Sequence, residues 1–177
     1  MKTKNYFLLL FFSAFLFFSL KCNRGEEKID EGKLKSHLVN VNRILVKEEQ
    51  KQIEEFITNH HWKMDSTGTG LRYMIYEKGN GKSVAVHDAV KVIGKIFLID
   101  ATLCYEYKQA DPLEFSVGNK DVPRGLEEAV LLMKEGDKGR FVIPSHLGYG
   151  LLGDREKIPG NASLFADLEL TNITTSK

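Results

Sequence analysis

The fold is decided by residues 112–170, which read PLEFSVGNKDVPRGLEEAVLLMKEGDKGRFVIPSHLGYGLLGDREKIPGNASLFADLEL. Within this stretch, residues 122–136 carry apolar side chains at helical spacing: Leu126, Ala129, Val130 and Met133. Side chains at positions i, i+3, i+4 and i+7 lie on one face of a helix. We therefore predict one amphipathic helix here, with strand-like runs before and after it.

The strand-like runs are short, rich in β-branched and aromatic residues, and separated by turn residues. They cover residues 71–82, 89–99, 113–118, 139–145 and 163–173. In the last of them Leu164, Ala166, Leu168 and Leu170 alternate with Phe165, Asp167 and Glu169, which is the period of a strand with one buried face. One helix among about five strands predicts an α+β fold with a mostly antiparallel sheet.

The N-terminus has a different character. Residues 6–20 read YFLLLFFSAFLFFSL, and Lys2 and Lys4 precede them. A basic start followed by a compact apolar run is typical of a secretory signal. The run falls short of the roughly 20 residues that a membrane-spanning helix needs. We predict a signal peptide over residues 1–21, with a short uncleaved anchor as the alternative, and hence an exported protein.

Cys22 follows the apolar run and has two interpretations. It is either the lipidated first residue of a bacterial lipoprotein or an ordinary residue near an ordinary cleavage site. Lys21 and Ser19 depart from the lipidation pattern, which has a small residue before the cysteine and usually a leucine three residues before it. Lipidation is favoured because no A-x-A-like site follows and a charged stretch begins at once. We expect a lipid anchor at Cys22, on a membrane facing the periplasm.

Three further segments follow. Residues 22–41 mix charges with glycines and are predicted to form a charged tether. Residues 42–62 are predicted to form a helical extension, because the run RILVKEEQKQIEEFITNHH has a narrow apolar stripe and no glycine or proline. This stripe suits either docking on the domain or self-association. A C-terminal domain is predicted over residues 67–177.

Several functional classes are disfavoured by composition. Without residues 1–21 the chain has 22 basic and 24 acidic side chains, which offers no basic patch for nucleic acid. The five histidines lack the spacing of a metal site, and no G-x-S-x-G motif is present. Cys22 and Cys104 lie too far apart to suggest a disulfide framework. We therefore expect no metal, cofactor or nucleic-acid partner.

Five motifs in residues 112–170 carry a family resemblance. They are F-x-V-G (115–118), R-G-L-E-E-A (124–129), M-x-x-G-D (133–137), I-P-S-H-L-G-Y-G (143–150) and K-I-P-x-N-A-x-L (157–164). Their order and ungapped spacing resemble the FKBP-type peptidyl-prolyl isomerase domain. The signal, the helical extension and the sequences PRGLEEAVLL and SHLGYGLLGD are similar to the gliding-motility-associated lipoprotein isomerases of gliding bacteria.

The resemblance implies a twisted antiparallel sheet wrapped around one short helix, and rotation about X–Pro bonds as the reaction. It assigns pocket walls to Phe115, Val122 and Ile158. It also assigns to Tyr149 the hydroxyl that donates to the substrate carbonyl. Such a reaction makes and breaks no covalent bond, which is consistent with the missing nucleophile and metal motifs.

Other positions depart from the family pattern. Smaller side chains stand where the family has large aromatic ones: Val92, Leu113, Leu126 and Ala166. Pro123 stands where the family has a backbone N–H donor. Tyr105 or Glu106 stands where the family has a pocket aspartate. These departures predict a wider, less aromatic pocket and slower catalysis.

Two functions follow from this pattern. The first is a peptidyl-prolyl isomerase that acts on proline-containing segments of exported or cell-envelope proteins and supports gliding motility. The alternative is a non-catalytic binding module or chaperone that holds such segments at a membrane surface.

Overall fold

The computed structural model describes residues 31–175. Two helices and seven strands form in this part of the chain: α1 (Glu31–Asn59), β1 (Asp65–Ser66), β2 (Arg72–Glu77), β3 (Ala89–Leu98), β4 (Leu103–Tyr107), β5 (Leu113–Ser116), α2 (Arg124–Leu131), β6 (Lys138–Ile143) and β7 (Leu164–Thr174). The predicted signal peptide, Cys22 and residues 23–30 lie outside the described residues. No helix within residues 31–175 is long and apolar enough to cross a membrane.

The strands form one antiparallel sheet in the order β1-β2-β6-β7-β3-β4. Strand β5 also pairs with β3, beside its N-terminal half, while β4 pairs with the C-terminal half. The long strand β7 runs along the other edge of β3 and joins it to β6. This arrangement confirms the predicted α+β fold with an antiparallel sheet and a short helix in the C-terminal half.

The main core lies between α2 and one face of the sheet. The helix contributes Leu126, Ala129 and Val130 of the predicted apolar face, and all three are buried. Met133 is also buried, but it lies two residues after the end of α2 at Leu131, so the helix is shorter than the spacing predicted. Strand β7 alternates as expected, with Leu164, Ala166, Leu168 and Leu170 buried. Because successive side chains of a strand point to opposite faces, Phe165 is directed to the other side of the sheet.

The second face of the sheet is covered by the C-terminal part of α1. Ile53 and Ile57 are buried there against Val142, with Phe165 and Trp62 packed around them. Arg72 of β2 strengthens this contact, since its Nη2 atom lies 2.8 Å from a carboxylate oxygen of Glu54. Of the two roles considered for the apolar stripe of the extension, docking on the domain is the one observed for Ile53 and Ile57.

Helix α1 differs from the prediction at both ends. It begins at Glu31, within the segment predicted as a tether, and ends at Asn59. The chain divides into two units between Val41 and Asn42. Residues 32–41 of the first unit are helical with exposed side chains. The charged tether predicted over residues 22–41 is thus helical from Glu31 onward, and its role as a tether stays a prediction.

Candidate active site

An open cavity of about 430 Å³ lies beside the N-terminus of α2. Its lining residues come from four separated parts of the chain: Tyr107, Leu113, Lys120, Asp121, Val122, Pro123, Leu126, Gly148 and Tyr149. Lys120 and Asp121 are exposed, whereas Leu126 is buried. Concave sites that combine apolar walls with a few polar groups are the usual form of a ligand pocket.

Four residues predicted from the sequence line this cavity together: Leu113, Val122, Leu126 and Tyr149. Leu113 begins β5, and Leu126 lies in the first turn of α2. The backbone N–H of Gly125 donates to the carbonyl of Leu147 at 2.7 Å. This hydrogen bond fastens the start of α2 to the segment that carries Tyr149.

Four other predicted wall residues lie in the hydrophobic core instead: Val92, Phe115, Ile158 and Ala166. Each is buried in the same cluster as Leu126 and is not among the residues that line the cavity. Val92 and Ala166 are therefore core residues in this structure, and the prediction that they widen the pocket stays a prediction. Leu113 and Leu126 do line the cavity, and the part of the wall that they form has no aromatic ring.

Tyr105 and Glu106 take different directions. Tyr105 is half-buried and packs against the core. The carboxylate of Glu106 lies 3.3 Å from Lys95 Nζ and 3.2 Å from Lys108 Nζ. It lines a separate groove on the opposite side of the sheet. Of the two candidates for the aspartate position, Tyr105 is the one directed toward the core.

Tyr107 lines the cavity and was not predicted from the sequence. Its ring stacks on that of Tyr105, with 6.3 Å between ring centroids and 17° between ring planes. Both lie on one face of β4, since side chains two positions apart share a face of a strand. The alternation in CYEY was therefore the signal that could have identified Tyr107.

The connection from β6 to β7, residues 144–163, is here called the Tyr149 loop. Asp154 organises its second half: Oδ1 accepts backbone N–H bonds from Glu156, Lys157 and Ile158 at 2.9, 2.9 and 2.8 Å. Gly153 permits the tight turn, because its φ is +67°, in the left-handed region that glycine adopts readily. A Cβ added at this position would lie only 2.1 Å from the carbonyl oxygen of Ile158 and would clash with it.

The other carboxylate oxygen of Asp154 accepts a hydrogen bond from the hydroxyl of Tyr105. Desolvation alone would raise the pKa of Asp154, but the hydrogen bonds from Tyr105 and from the three backbone donors outweigh it and lower this pKa to about 2. The same bond to Asp154 is the main reason that the pKa of Tyr105 is raised. The pair therefore links β4 to the Tyr149 loop through an ionised acceptor at neutral pH.

The hydroxyl of Tyr149 has no hydrogen-bond partner among residues 31–175, and it is not sealed from solvent. Burial of the residue, with smaller contributions from Tyr107 and Asp154, raises its pKa to about 12. The hydroxyl is therefore protonated at neutral pH and available as a donor to a group in the cavity. Pro123 lines the same cavity and has no N–H to donate.

No group of three His, Cys, Asp or Glu side chains within the described part of the chain is arranged to hold a metal ion.

Residues 79–171 match the family model described as FKBP-type peptidyl-prolyl cis-trans isomerase. The chain belongs to this family. All residues that line the cavity fall inside the matched FKBP-type range, and α1 lies before it.

Among FKBP-type relatives, the probable isomerase FkpA of Neisseria meningitidis is 38% identical over 109 residues, which is 61% of this chain and 39% of that protein. The human isomerase FKBP2 is 46% identical over 65 residues, which is 37% of this chain and 46% of that protein. This chain thus spans less than half the length of both relatives.

A solved FKBP-type structure, FkpA from Escherichia coli, resembles this structure with a TM-score of 0.65 and 27% sequence identity. The match covers 99% of this chain and 76% of that one. The family match and this structural likeness together indicate that the antiparallel sheet and the short helix α2 are features of the FKBP-type fold.

Proposed function

We propose that this protein catalyses cis–trans isomerisation of X–Pro bonds and that the cavity beside α2 is the active site. The observation that carries this proposal is the Tyr149 hydroxyl, which is protonated, without a partner among residues 31–175, and part of the cavity wall. Rotation about an X–Pro bond faces a barrier of about 18–20 kcal/mol, because resonance gives the C–N bond partial double-bond character.

In the proposed mechanism the proline ring enters between Leu113, Val122 and Leu126, and Tyr149 donates a hydrogen bond to a substrate carbonyl. Removal of water from the amide carbonyl disfavours the charge-separated resonance form that keeps the amide planar. The wall and the hydroxyl then hold the amide in a twisted geometry, so that binding is stronger in the transition state than in the ground state. No proton transfer to the peptide is required.

The rate is proposed to be modest. Leu113 and Leu126 leave part of the wall without aromatic rings, and Pro123 removes one backbone donor that could have fixed the substrate. A missing hydrogen bond to a desolvated carbonyl weakens binding by about 1–3 kcal/mol. We therefore also propose weak binding of macrolide inhibitors at this site.

The substrates are proposed to be proline-containing segments of exported or cell-envelope proteins, including components of a gliding machinery. Support comes from the signal-like residues 1–21 and from the resemblance of PRGLEEAVLL and SHLGYGLLGD to gliding-motility-associated isomerases. Membrane attachment through lipidated Cys22 is part of this proposal. Mass spectrometry of the mature N-terminus, together with labelled-palmitate incorporation, tests the anchor, and an unlipidated soluble product would refute it.

The activity is tested with the full-length chain in a proline-limited refolding assay. At micromolar concentration, the protein is expected to accelerate the slow refolding phase of a client whose native state contains a cis X–Pro bond. An unaccelerated slow phase, measured beside an active isomerase as positive control, would reject catalysis.

The second candidate is a non-catalytic binding module or chaperone, and Pro123 in the cavity wall is the observation that favours it. Such a module would suppress aggregation of an unfolded client without changing its slow refolding phase. Measuring aggregation and refolding on the same client separates the two functions, because only an isomerase changes the rate constant of the slow phase.

A further inference from the structure

Helix α1 contacts the Tyr149 loop through one carboxylate. Glu49 lies on the face of α1 that also carries Ile53, since residues four apart share a helix face. Its Oε1 atom accepts two hydrogen bonds, from the backbone N–H of Ser145 at 2.6 Å and from the hydroxyl of Ser163 at 2.6 Å. Ser163 is buried, and Glu49 and Ser145 are half-buried. The contact is therefore partly shielded from water.

The two serines stand at opposite ends of the loop. Ser145 lies near its start, two residues after the last residue of β6, and Ser163 directly precedes β7. Both donate to the same carboxylate oxygen. A single atom of Glu49 therefore joins the two ends of the loop that carries Tyr149 and Asp154.

The contact continues from Ser145 to Tyr149 through the backbone. The carbonyl oxygen of Ser145 accepts the N–H of Gly148 at 3.1 Å and the N–H of Gly150 at 2.9 Å. These glycines flank Tyr149 on both sides. Because Ser145 provides both the N–H that binds Glu49 and the carbonyl that binds these glycines, a movement of Ser145 would move the turn that carries Tyr149.

We propose that Glu49 is a positioning residue for Tyr149, so that the helical extension contributes to the geometry of the active site as well as to docking. The proposal rests on the isomerase function proposed above. Hydrogen bonds to an ionised carboxylate are shorter and stronger than those between neutral groups. One carboxylate that holds both ends of the loop fixes the turn at Gly148 and Gly150 more firmly than the loop backbone alone.

Glu54 offers a matched control on the same helix. Its carboxylate contacts Arg72 of β2, 2.8 Å from Nη2, and among residues 31–175 it makes no hydrogen bond or ion pair with the Tyr149 loop. Loss of either glutamate removes one carboxylate that attaches α1 to the rest of the domain, Glu54 through β2 and Glu49 through the Tyr149 loop. Only loss of Glu49 removes a contact that leads to Tyr149.

The test compares Glu49→Ala, Glu49→Gln and Glu54→Ala in the full-length chain. For a proline-containing tetrapeptide, Glu49→Ala is expected to lower kcat on the order of tenfold with a smaller change in KM, because misplacement of a positioned group reduces turnover. Glu49→Gln retains an oxygen acceptor and should recover most of that loss. Glu54→Ala should leave kcat unchanged even where it lowers the melting temperature.

An NMR measurement separates this proposal from the proposed function. In ¹H–¹⁵N spectra, the amide signals of Gly148 and Gly150 should shift in Glu49→Ala and stay in place in Glu54→Ala. Unmoved signals would overturn the positioning role, whether or not the wild type is an isomerase. If Glu49→Ala does not fold, Ser163→Ala removes one of the two bonds and should shift the same signals, and unmoved signals in that variant overturn the proposal equally.

Discussion

The hydroxyl of Tyr105 donates a hydrogen bond to Oδ2 of Asp154, which links strand β4 to the Tyr149 loop. The second oxygen of Asp154 binds three consecutive backbone N–H groups of that loop. Lys157 Nζ lies 4.8 Å from the ring centroid of Tyr105 and adds a cation–π contact. One carboxylate thus shapes the turn and attaches it to the sheet.

The free energy of unfolding is expected to decrease at acid pH, because Asp154 loses its charge there. The folded pKa of Asp154, about 2, lies below its ordinary value of 3.8. The ionised carboxylate therefore stabilises the fold above pH 3.8, and this contribution is lost as the pH falls toward 2. Asp154→Asn should be less stable at neutral pH and should lose less stability on acidification.

Urea denaturation at a series of pH values measures this difference. Tyr105→Phe removes one donor to Asp154 and should give a pH dependence between those of the wild type and Asp154→Asn. If Asp154→Asn followed the wild-type curve down to pH 2, the lowered pKa of Asp154 would be wrong.

Tyr149→Phe is expected to reduce the isomerisation rate on the order of tenfold, because the substrate carbonyl loses a donor in a desolvated cavity. The matched control is Tyr76→Phe, which removes a hydroxyl that donates to Asp167 on the opposite side of the sheet. The control should isomerise the tetrapeptide at the wild-type rate. Equal rates for Tyr149→Phe and the wild type would exclude Tyr149 as the donor.

Gly94→Ala is expected to destabilise the fold by about 2–5 kcal/mol, since strain and overpacking both act at this site. Gly94 has φ of +138°, and an added Cβ would lie 2.1 Å from the carbonyl oxygen of Asp167 in β7. Gly68→Ala is the control, because no atom beyond its two chain neighbours lies within 4 Å of its added Cβ. Thermal and urea unfolding should separate the two variants, and equal stability would contradict the close approach of β3 and β7.

Ile53→Ala is expected to lower the free energy of unfolding by about 2–5 kcal/mol, because it leaves a cavity between α1 and the sheet. Ile44→Ala on the same helix changes an exposed side chain and should have little effect. Urea unfolding at two protein concentrations measures both. A concentration-dependent loss in Ile44→Ala would instead show that this exposed part of α1 takes part in self-association.

Local patterns predicted much of the fold. Leu164, Ala166, Leu168 and Leu170 are buried as their alternation indicated, because a strand that covers a core must place every second side chain inward. Helix α2 followed from one apolar stripe in the same way. The start of α1 at Glu31 was missed, because the charges and glycines of residues 22–41 conceal the helical spacing of Leu34, Leu38 and Val41.

The candidate site was predicted in part. Motif matching identified Tyr149, Val122, Leu126 and Leu113, which line the cavity. The motifs did not distinguish these cavity-lining residues from Phe115 and Ile158, which are buried in the core. Residues in one motif share a neighbourhood, but the direction of each side chain depends on the strand or helix that packs against it.

The sequence by itself determined the family, the antiparallel sheet with its short helix and the tyrosine available as a donor, because these depend on periodicity and on ordered motifs. Only the tertiary structure decided that Tyr107 lines the cavity, that Tyr105 binds Asp154 and that Glu49 joins both ends of the Tyr149 loop. These contacts connect residues far apart in the chain. Their partners are set by the packing of whole elements, and no local pattern records that packing.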